Sequence, residues 1–339
     1  MSRCAEEHPE HIGFLLLPQF SMLSFFSAVE PLRIANRLSH RRLYSWHVYS
    51  RDGEPVAASN GMTLVADVSI AALPNVSTMI VCASFYPERH AEAAVLAWLR
   101  RLARRGIALG AVETGAYTLA QAGLLDGHRA TLHWENLPAF AEQFPHIEAT
   151  EELFEIDGKR FSCSGGTAAI DMMLHLISGR HGRDLAVGIS EQMLHSRMRN
   201  PHDHQRIVLD LRAGAGNPKL RRVLEAMEHH VEEPLSCEDL ASVAGLSRRQ
   251  LERLFRAHLG TTPIGHYLKL RLRRARHLLE QTEMSVFGVA LACGFTSAPY
   301  FSRAYRTHFG RSPRADRTAL RRSRDRTGRL DGEAAQRVQ

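Results

Sequence analysis

The sequence predicts two folded units in series: a mostly parallel α/β sheet with helices on both faces, then an all-helical module. Three observations predict this. Up to about residue 185, apolar runs fit for buried strands alternate with amphipathic helical stretches. Beyond a polar stretch ending in Gly/Ala/Asn, the period is helical up to residue 318. Charge divides at the same place: residues 219–339 hold 23 Lys and Arg against 13 Asp and Glu, and residues 1–218 hold 20 against 23. A basic module on a mildly acidic body suits a polyanion partner.

In the first unit, "HIGFLLL" (11–17) is an apolar run suited to a buried strand. "SAVEPLRIANRL" (27–38) carries Val29, Leu32, Ile34 and Ala35 at helical spacing. "YSWHVYS" (44–50) and "STMIVCAS" (77–84) read as strands. "ERHAEAAVLAWLRRLARRG" (88–106) is an amphipathic helix that stops at arginines and Gly106. "IALGAV" (107–112) is a strand that leads into a helix. "ATLHW" (130–134), "FEIDGKRFSCS" (154–164) and the helix "TAAIDMMLHLISG" (167–179) complete a flavodoxin-like α/β pattern.

Composition excludes several classes. The chain has 339 residues, 44% of them hydrophobic and 23% charged, which fits a soluble globular protein. No apolar run approaches the ~20 residues of a membrane span. The N-terminus, with glutamates ahead of a short apolar run, is a poor secretory signal. Cys4, Cys82, Cys163, Cys237 and Cys293 are scattered and form no CxxC, which fits a reducing cytoplasm. "NPHDHQR" (200–206) reads as solvated linker rather than a closed metal site, and no cofactor or metal is expected.

"GAVETGAYTLAQAGLLDG" (110–127) is a strand, a tight turn and a helix, with Glu113 where the strand ends. In α/β proteins that turn often holds a reactive side chain on strained backbone. Glu113 is therefore a catalytic group, a ligand-binding group or a helix-terminal acid.

The helical module contains a duplication. "DLASVAGLSRRQLERLFRAHLGTTP" (239–263) resembles "GVALACGFTSAPYFSRAYRTHFGRSP" (288–313). Gly245 and Gly294 correspond in the turn; Arg253 and Arg303, Gly260 and Gly310, and Pro263 and Pro313 correspond beyond it. Each copy reads helix, glycine turn, helix, with Ser247 and Ser297 as N-caps of the second helix. This is the helix-turn-helix pattern. With Leu251, Leu254 and Phe255 inward, Arg248, Arg249, Glu252, Arg253 and Arg256 point outward. With Phe301 and Tyr305 inward, Ser297, Pro299, Ser302, Arg303 and Arg306 do. "IGHYLKLRLRRARHLLEQ" (264–281) is a basic helix that sets the distance between the two readers.

The stretch 219–318 resembles the AraC/XylS family of transcription regulators, on the pattern "ACGFTSAPYFSRAYRTHFGRSP" above all. The resemblance implies two readers in adjacent major grooves of double-stranded DNA. It places base-reading positions at Arg249, Glu252 and Arg253, then Pro299, Ser302 and Arg303; Pro299 offers a base edge no polar group. Residues 11 to about 180 resemble the PfpI-like branch of the class I glutamine amidotransferase-like superfamily, and in particular the GlxA-type regulators. The stretches that carry it are "GFLLLPQFSMLSFFSAVEPLRIAN", "GAVETGAYTLAQAGLLDGHRATLHWE" and "CSGGTAAIDMMLHLI". Enzymes of that superfamily place a cysteine where Glu113 stands, and their acidic partner falls here on Ser24, so no catalytic residue is assigned.

The remaining pocket, with Glu113 at its floor, is expected to prefer a cation. Phe20, Phe25, Phe26, Phe85, Tyr86, Tyr117 and Trp134 are nearby aromatics, and a carboxylate with aromatic faces suits quaternary ammonium or guanidinium groups. Ser164, Gly165, Gly166 and Thr167 at a helix N-terminus suit a ligand carboxylate. The expected ligand site is thus Glu113, His133, Trp134, Phe25, Ser164, Gly165 and Gly166. GlxA-type regulators of choline-derivative, carnitine and arginine catabolism look similar, which favours a zwitterionic or basic metabolite.

The expected organisation is a sensor domain over 1–195, a linker over 196–217, the DNA-binding domain over 218–318 and a basic tail over 319–339. The expected function is a ligand-responsive cytoplasmic transcription activator, not an enzyme and not membrane-bound, working as a homodimer with RNA polymerase. A PfpI-like hydrolase with an accessory DNA module, and a first domain used only for dimerisation, remain as alternatives.

Overall fold

The computed structural model describes residues 9–203, 205, 217–282 and 284–319. Two compact units divide the chain, residues 1–205 and 206–339. In the first, the strands are β1 (Glu10–Leu16), β2 (Tyr44–Ser50), β3 (Val56–Ala57), β4 (Thr63–Leu64), β5 (Val68–Ser69), β6 (Thr78–Ala83), β7 (Ala108–Glu113), β8 (Arg129–Ala130), β9 (Glu148–Ala149), β10 (Phe154–Asp157) and β11 (Arg160–Cys163). The helices are α1 (Met22–Ser39), α2 (Pro87–His90), α3 (Ala93–Arg104), α4 (Gly115–Gln121), α5 (Leu137–Gln143), α6 (Ala168–His181) and α7 (Arg183–Gln192).

A seven-stranded sheet in the order β10-β11-β7-β6-β1-β2-β5 organises this unit. Every pairing is parallel except the β10–β11 hairpin. The period of two along a strand explains the two layers. Phe14 and Leu16 of β1, with Ile80 and Cys82 of β6, enter the core shared with α1, α6 and α7. Leu15, Met79 and Val81 enter the opposite core, with Trp98 and Leu102 of α3 and Leu119 of α4. Because both faces are covered, the central strands read as continuous apolar runs rather than alternating ones. Glycine permits close packing within the sheet: a Cβ on Gly110 would lie 2.0 Å from the Phe161 ring.

Two sequence expectations need correction. The strand expected at 130–134 stops at Ala130, because Thr131 N–H donates to the Ser162 hydroxyl (2.8 Å) instead of to a neighbouring strand. The linker expected from 196 begins later. Leu153 N–H donates to Pro201 O (2.8 Å), and Arg199 pairs with the buried Asp171 (2.7 Å). Gln205 Nε2 donates to Thr131 Oγ1 and to the carbonyls of Leu132 and Glu152. The first unit thus runs to Gln205 rather than 195. Residues 206–216, and the tail from 320, lie outside the described residues.

The second unit comprises α8 (Pro218–His229), α9 (Cys237–Val243), α10 (Arg248–Leu259), α11 (Pro263–Gln281), α12 (Val286–Ala292) and α13 (Ala298–Phe309), with residues 313–319 again helical. Leu220, Val223, Met227, Leu240, Leu251, Phe255 and Tyr267 form the core of its first half. Val289, Phe295, Phe301 and Tyr305 are buried in the second. The duplication is exact in its burial: residues 251–260 and 301–310 alternate between buried and exposed in the same order, position by position.

Replacing Trp98, fully buried and donating through Nε1 to Ala72 O (3.1 Å), by alanine is expected to destabilise the first unit by about 3–5 kcal/mol. Denaturant unfolding followed by circular dichroism checks this.

Candidate functional site

Strand order places the candidate site. β1 pairs with β2 on one side and β6 on the other, so the chain reverses direction across the sheet at β1. Ligands of open α/β sheets bind at the carboxyl ends of strands flanking such a switch point. Backbone strain gathers there. Gln19 (φ 62°), Tyr86 (φ 56°) and Glu113 (φ 58°) follow or end β1, β6 and β7, and Gly165 (φ 90°) and Gly166 (φ 55°) follow β11. A non-glycine residue in this left-handed region costs about 1–2 kcal/mol and persists where the surroundings enforce it.

The surroundings of Glu113 are specific. Ser24 Oγ donates to Oε2 (3.0 Å) and Ser84 Oγ donates to Oε1 (3.0 Å). Both serines are buried. Ser24 Oγ in turn accepts from Gly166 N–H (2.7 Å), and Thr114 Oγ1 donates to Ser84 O (2.6 Å). Gly165 lies directly against the glutamate: a Cβ there would stand 2.7 Å from Glu113 Cβ. On the helix side, a Cβ on Gly115 would meet Val81 O at 2.3 Å, so the elbow requires glycine to bring α4 onto β6. Glu113 itself is half-exposed, so its charge borders solvent while its oxygens are oriented from beneath.

No reactive thiol accompanies it among the described residues. Cys82 and Cys163 flank Val112 of β7 in the sheet register and are fully buried. Burial pushes the Cys163 thiol up to about 12 and the Cys82 thiol well above its usual value, so both stay protonated and are poor nucleophiles.

Of the expected ligand residues, the structure brings together Glu113, Gly165 and Gly166, and revises the others. Phe25 is core: its ring packs edge-on against Phe14 (5.5 Å) and Phe20 (6.0 Å). Phe20 and Tyr117 are likewise buried, whereas Phe26, Phe85 and Trp134 are exposed. His133 faces Trp134 (5.5 Å) in the turn before α5, with Glu135 Oε2 4.0 Å from its Nδ1. The amides expected to receive a ligand carboxylate are already engaged: Ser164 N–H donates to Leu153 O and Gly166 N–H to Ser24 Oγ. Sequence reasoning missed Ser84 as a partner, although its place after the β6 run marked it as a strand-end polar group. It also missed the group around Asp171, which accepts from His195 Nε2 (2.9 Å), Arg199 N–H (2.7 Å) and Arg199 Nε (2.8 Å). The described residues hold no group of three His, Cys, Asp or Glu side chains able to bind a metal.

The second unit presents its own surface. Gly245 (φ 61°) and Gly294 (φ 72°) make the turns, and Ser247 and Ser297 cap α10 and α13 by accepting from Gln250 N–H and Tyr300 N–H. Arg249, Arg253, Arg256, Arg303 and Arg306 are exposed, as are Arg248, Ser297 and Pro299, while Glu252 and Ser302 are half-buried. Arg248 is held by Glu238 (2.9 Å) and Glu252 (3.2 Å). Two arginines of the basic helix α11 turn out to be structural. Arg271 donates to Cys293 O and Gly294 O (both 2.7 Å) and lies 4.1 Å over the Phe295 ring. Arg276 meets the buried Asp316 (3.1 Å), which also accepts from Tyr305 OH (2.9 Å).

Known proteins match this arrangement. Residues 12–179 match the DJ-1/PfpI family and residues 240–319 the helix-turn-helix domain family. The HTH-type transcriptional regulator CdhR of Pseudomonas aeruginosa is 53% identical over 307 residues, 91% of this chain and 91% of that protein. This chain belongs to the AraC-type transcription regulators that carry a DJ-1/PfpI domain. GbdR of P. aeruginosa is 49% identical, covering 91% of this chain and 84% of that one. GlxA of Rhizobium meliloti is 41% identical, covering 90% and 94%. As an AraC-type regulator, the protein acts on transcription through its helix-turn-helix domain. Against the cysteine pattern that PfpI-like enzymes place at the elbow, this regulator carries a carboxylate there and a hydroxyl at Ser24, and the two residues touch.

Gly165→Ala is expected to destabilise the first unit by about 2–4 kcal/mol, from the positive φ and the contact with Glu113 together. Thermal unfolding of wild type and variant checks it; an unchanged midpoint would show that the glutamate yields freely.

Proposed function

We propose that the first unit is a small-molecule sensor and that the protein couples a cationic or zwitterionic metabolite to transcription activation. The observation that carries this is Glu113: a carboxylate oriented by two buried hydroxyls, on strained backbone, at the switch point of the sheet. Such a group supplies fixed negative charge at low reorganisation cost, which suits recognition of a cation. Exposed Phe26 and Phe85, close in sequence to Ser24 and Ser84, offer apolar faces for an alkylated amine. The resemblance to regulators of choline-derivative, carnitine and arginine catabolism supports the same class. With Ser164 and Gly166 amides engaged, an anionic end of the ligand has to find other donors.

Against an enzyme stand the missing elbow thiol and the buried, protonated state of Cys82 and Cys163. Purified protein is expected to show no thiol-dependent hydrolysis. Calorimetric titration with trimethylglycine, carnitine and arginine tests the sensor reading. Glu113→Gln keeps the shape and removes the charge, and is expected to weaken binding of the responding amine roughly ten- to a hundredfold. Equal affinities would make Glu113 a structural acid only.

We further propose that α10 and α13 lie in the major groove, with Arg249, Arg253 and Arg303 on base edges, and Arg256 and Arg306 on phosphates. Arg248, shared between two glutamates, orients Glu252 more than it reads DNA. Arg253→Ala and Arg303→Ala are each expected to cost about 1–3 kcal/mol and to relax base preference at different parts of the operator. Binding-site selection followed by gel-shift titration checks both; unchanged preference in both variants would displace the reading faces. Dimerisation through the first unit and a contact with RNA polymerase complete the proposed cytoplasmic activator.

A further inference from the structure

The segment near the end of the first unit, residues 195–203, is fastened to the loops around Glu113. Asp171, fully buried one turn into α6, holds His195 and both the backbone and the guanidinium of Arg199. Arg199 Nη2 also donates to Thr167 Oγ1 (2.8 Å). Thr167 directly follows Gly166, whose N–H donates to Ser24 Oγ, and Ser24 Oγ donates to Glu113 Oε2. A second route begins on the same loop. Ser164 N–H donates to Leu153 O (3.0 Å), and Leu153 N–H donates to Pro201 O (2.8 Å). The loop 164–167 is therefore gripped by Glu113 at one end and grips the strap at the other. Gly165 leaves no room for a side chain on the loop here: an added Cβ would stand 2.7 Å from Glu113 Cβ and 2.8 Å from its Cγ.

We infer that the 195–203 strap is the output of the Glu113 site, released or tightened when the hydrogen bonds of that carboxylate are exchanged for a ligand. This rests on reading the first unit as a sensor. A cation that draws on Oε2 competes with the Ser24 hydroxyl, and Ser24 is also the acceptor for Gly166 N–H. Loosening Gly166 shifts Thr167 and the Arg199 contact, which is shared with Asp171. The bistable element is the strap, docked through Arg199 and Pro201 or undocked, and its equilibrium is the quantity that site and DNA unit would both bias. A sensor with a rigidly packed exit segment would have no such path. Here the fastening consists of polar contacts on the ligand loop, alongside the partly buried Met198.

Hydrogen exchange on the full-length protein tests this without any ligand. Glu113→Gln leaves a single carboxamide oxygen where the carboxylate offered one to each serine, and Ser24→Ala removes the acceptor of Gly166 N–H. Both are expected to speed exchange at the amides of Arg199 and Leu153 by about threefold or more, with β2 and β6 amides unchanged. Wild-type rates at Arg199 and Leu153 in both variants would overturn the inference. So would a rise spread equally over the central strands in both, because that is general loosening rather than release of the strap. Failure here leaves the titration with amines untouched, and failure of the amines leaves the exchange result standing, so the two readings are separable.

Discussion

Glu113 is held in the left-handed region by its neighbours on three sides: Ser24 from α1, Ser84 from the end of β6, and the Cα of Gly165 after β11. The elements that surround the site meet at this residue. α1 is fixed to the sheet edge through Ser24, the β11–α6 loop through Gly166 and Ser24, and α4 through the turn that Gly115 allows onto Val81 O. Remove the carboxylate and the buried Ser84 hydroxyl loses its acceptor, at a cost of about 1–3 kcal/mol for the group left unpaired, while Ser24 keeps Ser21 Oγ (3.0 Å). The carboxylate therefore orders the carboxyl edge of the sheet as well as charging it.

The chemistry of the elbow follows from which group is placed there. A thiol on this turn would be activated by an adjacent acid or base; the carboxylate here has only the hydroxyls of Ser24 and Ser84 against its oxygens. The two nearby cysteines cannot substitute, because both lie in the sheet interior with their thiols pushed up by burial. What the geometry retains is a positioned charge, with its hydrogen bonds facing the protein and its outer side facing solvent. A fold shared with enzymes thus carries a group of different chemistry at the same elbow.

In the second unit the equivalent constraint is Arg271. Its guanidinium satisfies the carbonyls of the second turn, Cys293 and Gly294, and stacks on Phe295, while burial lowers its pKa. A Cβ on Gly294 would strike Val231 O and Pro234, so the second turn sits against the loop that follows α8. The helix between the readers thereby fixes the second reader by direct bonds, and its basic character is partly structural.

Much of the architecture was legible in the chain. Continuous apolar runs such as "GFLLL" and "MIVCA" announced strands buried on both faces, and the duplication with Gly245 and Gly294 announced two helix-turn-helix copies down to their serine caps. The strained elbow at Glu113 was legible too, because a strand-turn-helix with glycine two residues on allows few conformations. What only the tertiary structure decided are long-range pairings between polar residues of no distinctive pattern: Ser24 and Ser84 on Glu113, Arg199 on Asp171, Arg271 on the second turn. It also decided that Phe25 belongs to the core and that the amides of Ser164 and Gly166 are engaged. Periodicity reports burial along one element, since neighbours in sequence share its geometry. It carries no information about which side chain another element will bring within 3 Å.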